Sequence, residues 1–186
     1  MVLISAMNGL SVAGMAIAGR LTPVAFGVIF ALAGSIGPII GQNHGAKRPE
    51  RVREAFFASL GFAGIVVGLV SLILFVLRAP IADAFHAEGL TRELVYLFCG
   101  PLAALWYFIA IIFVANAAFN NLGRPFTSTW TNWARSTIGT IIPVWIGARM
   151  AGAIGVMWGQ AFTGVVFGLL SLWLALRLVK VPSRAP

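Results

Sequence analysis

Few side chains in this 186-residue chain could do chemistry, and their spacing excludes most reactions. His44 and His86 flank an apolar run at about 55–77. A bilayer-spanning helix between them would hold them about 30 Å apart, too far to share a metal or serve one catalytic triad. Cys99 is the lone cysteine, so it forms neither an internal disulfide nor a cysteine metal cage. With no nucleophile, base and orienting group converging, an enzyme is excluded, and no metal site is expected. What remains is a set of polar and aromatic residues inside apolar runs: Arg20, Gln42, Asn116, Arg135 and Gln160, with Trp106 and Tyr107. Polar groups are costly in hydrocarbon and are functional candidates there. Each has a plainer reading. Arg20 and, more so, Arg135 could snorkel to the interface. Asn116 and Gln160 could bond a neighbouring helix, and the two aromatic rings could simply pack. Weighing these, Arg20, Gln42, Asn116, Trp106 and Tyr107 are the candidates for lining a solute cavity, where aromatic faces suit flat or cationic molecules.

The elements that must position them follow from composition. Hydrophobic residues make up 60% of the chain and charged residues 10%, against about 25% charged in a soluble domain. The sequence predicts an all-α polytopic transmembrane helix bundle forming a single membrane domain over 1–186. Net charge is +8, but the basic residues sit in short junctions rather than along a stripe with interleaved aromatics, so nucleic-acid binding is excluded. A crossing needs about 20 apolar residues. Full spans are expected at about 11–40, 55–77, 94–118, 128–148 and 151–178, after an N-terminal stub at 1–8. Pro23 and Pro38 predict a kinked or protruding first full span, and Pro143 interrupts another. The segment 78–92 reads as a connecting loop with an amphipathic piece at 80–85, and Trp130 and Trp133 as an interfacial belt.

Taken alternately, the junctions collect Lys47, Arg48, Arg51, Arg53, Arg124, Arg177, Lys180 and Arg184 on one side. The other side carries Arg78, Arg92 and Arg149, diluted by Asp83, Glu88 and Glu93. Basic short loops stay in the cytoplasm, so the C-terminus is expected there, in a plasma or bacterial inner membrane. With the stub, the helices number six, half of many transporters built from two repeats.

Three stretches carry a family resemblance. The first is 37–56, containing Gly41-Gln42-Asn43-His44-Gly45-Ala46 and the following Arg-Pro-Glu-Arg-Val-Arg, preceded by Ala16 to Leu21. The second is Ala117 to Pro125, ending Asn120-Asn121-Leu122-Gly123-Arg124-Pro125, and the third is Gly152 to Gly155. Together they resemble the C-terminal six-helix lobe of the multidrug and toxic compound extrusion (MATE) antiporters. The resemblance implies structural roles for Gly41, Gln42, Asn43, Gly45, Ala46 and Gly123. It implies a second, N-terminal lobe as partner and a lipid bilayer around both. It further implies export of small organic solutes, often cationic, with H+ or Na+ as coupling ion and no bound cofactor. No Asp or Glu lies deep in a span, so the coupling carboxylate is expected in the other lobe. A lipid-precursor flippase, an inactive truncated product and a membrane scaffold are the competing readings.

Overall fold

The computed structural model describes residues 9–179; the stub at 1–8 and the basic residues Lys180 and Arg184 lie outside the described residues. The helices are α1 (Gly9–Gly45), α2 (Pro49–Ala84), α3 (Gly89–Leu97), α4 (Ala103–Asn121), α5 (Pro125–Ala134) and α6 (Thr140–Leu178). Wide π turns at Phe98–Leu102 and Arg135–Gly139 join α3 to α4 and α5 to α6. Among the described residues there is no strand. On α2, Ile65, Leu69, Leu72, Ile73 and Val76 are 54% to 65% exposed, a surface water would not tolerate and lipid would. The chain is an all-α membrane helix bundle.

Helix ends differ from the sequence expectation. The helix α2 runs through Pro80 to Ala84 instead of giving way to a loop after 77. Proline removes one backbone donor, but Ala82 beyond it is fully buried, and that packing holds the last turn. Asp83 then pairs with Arg92 at 3.0 Å, tying the end of α2 to α3. The next run begins at Gly89 rather than 94, and α5 begins at Pro125 rather than 128. Pro125 and Pro49 both stand in the first helical turn, where a missing N–H is harmless.

Three corners share one geometry. Lys47, His86 and Gly123 have φ of 56°, 49° and 75°. The N–H of the following residue reaches back five places, from Arg48 to Asn43, Ala87 to Ala82 and Arg124 to Phe119, each at 2.9 Å. These left-handed caps satisfy carbonyls that a helix end leaves free.

The helix α1 bends at Phe26 (φ −111°, ψ 16°), three residues beyond Pro23 and beside Gly27, and passes Pro38 without a break. The 39 residues of α6 would be about 58 Å long if straight. They double back instead at Ala151 and Gly152, whose φ of 55° and ψ of −131° suit glycine alone. The limbs are antiparallel: Gly147 meets Gly155, Pro143 meets Gly159, and the Thr163 hydroxyl donates to the Gly139 carbonyl. A Cβ on Gly159 would lie 2.6 Å from the Pro143 oxygen, so backbones touch along this hairpin.

The helix α4 is central, packing on α1, α2 and α6. Two buried apolar clusters stack along it, one around Phe26, Val67, Leu94 and Cys99, the other around Ile40, Phe56, Phe119 and Ala175. The second gathers the ends bearing Lys47, Arg48, Arg51, Arg53, Arg124 and Arg177. There Asn121 lies across Gly37 and Gly41 of α1 while its amide donates to the Ala117 carbonyl at 2.8 Å. Lipid offers no hydrophobic drive between helices, so close approach over small residues supplies the contact.

A methyl at Gly41 would sit 2.9 Å from Asn121 Oδ1. Gly41→Ala is therefore expected to cost about 1–2 kcal/mol by overpacking, read as thermal unfolding in detergent. Adding Asn121→Ala should recover most of that loss; the same loss in both backgrounds would show that Asn121 is not the obstruction.

Candidate functional site

Because α1 and α6 both lean on α4 and make no substantial contact with one another, a cleft is left over α4. It holds a cavity of about 560 Å³, inside the range that takes drug-sized ligands. Its aromatic wall begins at the α1 bend. Phe26, fully buried, stacks on Trp106 with ring centres 4.6 Å apart and planes 7° from parallel. Phe30 then meets Trp106 edge-on at 6.4 Å and Phe113 edge-on at 5.3 Å. Such pairs add about 0.5–1.5 kcal/mol each beyond burial and fix ring orientation.

Both π turns reach the cavity. Phe98 and Leu102 line it from the first, where Gly100 (φ −99°, ψ −114°) and Pro101 break the helical course. Arg135 lines it from the second. The Thr140 hydroxyl donates to the Arg135 carbonyl at 2.6 Å, meeting an acceptor freed by the wide turn. Arg135 Nε is buried and without a hydrogen-bond partner. Thr22, Gln160, Met15 and Met157 complete the parts of the lining that matter chemically. Thr22 is spent on the Ala18 carbonyl at 2.9 Å.

The structure brings only Trp106 of the candidate cavity residues into this space. Tyr107, about 100° further round the helix, faces α2 instead: its hydroxyl donates to the Leu60 carbonyl at 3.4 Å and its ring covers Gly64. Asn116 Oδ1 accepts the Ser128 hydroxyl at 3.1 Å, bonding α4 to α5. Arg20 is exposed, beside Gly19, which lines the cavity. Gln42 is exposed at the end of α1, and Asn43 donates to the Ile39 carbonyl of its own helix at 2.8 Å. Arg135 and Gln160, expected from the sequence to snorkel and to pack, supply the charged and amide side chains of the lining, beside Thr22 and Thr140. The signal was present as charge and amide within apolar runs; their direction was not. Among the described residues, no group of His, Cys, Asp or Glu could hold a metal.

Comparison with known proteins places this geometry. The model of the MatE family matches residues 1–146. A protein from Pseudomonas savastanoi, described as an uncharacterized 21 kDa protein in the iaaL 5′ region, is 32% identical over 150 residues, covering 81% of this chain and 49% of that one. A FAD transporter from Shewanella oneidensis is 25% identical over 185 residues, covering 100% of this chain and 41% of that one. Two crystal structures of the Vibrio cholerae MATE transporter VcmN, one of a point mutant and one in the bent form, each match with a TM-score of 0.85. They are 22% and 21% identical, and the matches cover 94% and 95% of this chain and 40% of theirs. The chain spans about half or less of the length of the curated relatives it matches.

The Asn116 contact yields a test. Asn116→Ala and Ser128→Ala are each expected to cost about 0.5–1 kcal/mol in detergent unfolding, a usual size for interhelical bonds in membranes. The double variant should lose no more than the larger single loss. Fully additive losses would mean the two side chains act separately.

Proposed function

This chain belongs to the MatE family, and on that premise we propose that it is the C-terminal lobe of a secondary active transporter. It works against a second six-helix lobe and exports organic compounds, often cationic by the family's pattern, in exchange for H+ or Na+. The observation that carries the reading is the aromatic cavity between α1 and α6, set in a bundle whose outer faces are apolar. Ligand and ion drive the exchange only by binding inward-open and outward-open arrangements unequally. The lobe supplies a solute wall in Trp106, Phe30 and Phe113. The five acidic residues, Glu50, Glu54, Asp83, Glu88 and Glu93, all stand within a few turns of helix ends. The coupling carboxylate therefore belongs to the other lobe.

The basic ends of α1, α4 and α6 gather at one end of the bundle, which supports a cytoplasmic placement of that end and a plasma membrane location. The name of the Shewanella relative, FAD transporter, supports a second reading in which a flavin nucleotide is exported. The flat rings of Trp106 and Phe30 suit either class of solute.

Efflux of ethidium and of flavin nucleotide from energised cells making the intact protein tests both readings. Efflux of at least one is expected, and it should stop when the proton gradient is collapsed or sodium is withdrawn. Transport of neither, or transport indifferent to both ions, would overturn the reading.

A further inference from the structure

The cavity has a charge that its walls do not answer. Arg135 is the charged residue among its lining, and Asp or Glu is absent from that lining. The acid nearest in sequence, Glu93, stands within α3, and Asp83 is already paired with Arg92. Arg135 Nε is buried and makes no hydrogen bond. The side chain as a whole is half-buried, and a donor held out of water without an acceptor is unfavourable until an acceptor arrives. Its companion in the lining is Gln160, an exposed amide with donor and acceptor both available. The opposite chemistry, edge-on aromatic rings, is supplied by Trp106, Phe30 and Phe113.

We propose that this cavity is a binding site for aromatic anions, in which Arg135 receives a carboxylate or phosphate while the Trp106 wall takes the attached ring. The proposal rests on the transporter reading but fixes a charge preference that the family pattern would set the other way. A guanidinium holds a carboxylate or phosphate bidentately, and its placement in a wide π turn sets it among the apolar walls, where such a bond is least screened. A cationic solute meets repulsion from Arg135 and finds no carboxylate in this lobe's lining. Gln160 offers the anion a further donor. Thr22 and Thr140, both already donating to backbone carbonyls, contribute acceptors alone.

Equilibrium dialysis of the intact, detergent-purified protein with a matched pair, 2-naphthoate and its neutral isostere 2-naphthamide, tests this. Wild type is expected to bind the carboxylate about tenfold to a hundredfold more tightly than the amide, the range of a hydrogen bond to a charged group. Arg135→Gln should weaken 2-naphthoate far more than 2-naphthamide, so that the preference disappears, and a wild-type size-exclusion profile in detergent shows that the variant is folded. Arg135→Lys should keep part of the preference as a point charge. Equal affinity for both probes in wild type, no binding of either, or a preference that survives Arg135→Gln would each overturn the proposal. Dialysis needs no ion gradient, so its outcome is independent of whether efflux is coupled.

Discussion

A backbone amide in hydrocarbon has no water to turn to, and this constraint shapes every part of the bundle. It makes the chain helical throughout its described crossings, and several departures from the α-helix carry their own remedy. The corners at Lys47, His86 and Gly123 close with a bond five residues back. The wide turn at Arg135 is met by Thr140. Hydroxyls of Thr22, Ser35, Ser59, Thr131 and Thr137 fold onto carbonyls of their own helices, taking their donors out of the lipid.

With backbone bonds internal, helices are left to hold one another by shape. Glycine therefore appears where two chains of atoms nearly touch, at Gly37 and Gly41 beneath Asn121 and along the α6 hairpin. The first holds α1 against α4 and the second holds the limbs of α6 together, while Gly164 and Gly168 bring α6 onto Ile109 and Phe108 of α4. The cavity is what this packing leaves unfilled, walled by rings whose angles are set from behind by Phe26.

The run lengths, the glycine motif and the basic junctions carried much of the architecture in the sequence itself. The contact between Asn121 and Gly41 joins two of the stretches on which the family resemblance rests, which is a reason for their occurring together. The cavity was less legible. Trp106 and Tyr107 are adjacent in sequence, and only the azimuth of α4, set by its partners, sends one to the cavity and the other to Leu60. Arg135 was visible as a charge in an apolar run, but the π turn that aims it leaves no mark in composition. Helix ends ran past their expected limits because burial of residues such as Ala82 outweighed a nearby proline.

The two wide turns have a geometrical corollary. A π turn holds one residue more than the α-helix around it, a unit of slack in the winding. Were Arg135–Gly139 to release that residue, everything on one side would rotate by about 100° and slide by about 1.5 Å relative to the other. The first wide turn, at Phe98–Leu102, differs, because its course is already broken at Gly100 and Pro101. At Arg135–Gly139, winding and cavity outline are therefore geometrically linked, since the turn that would change phase also carries a lining side chain.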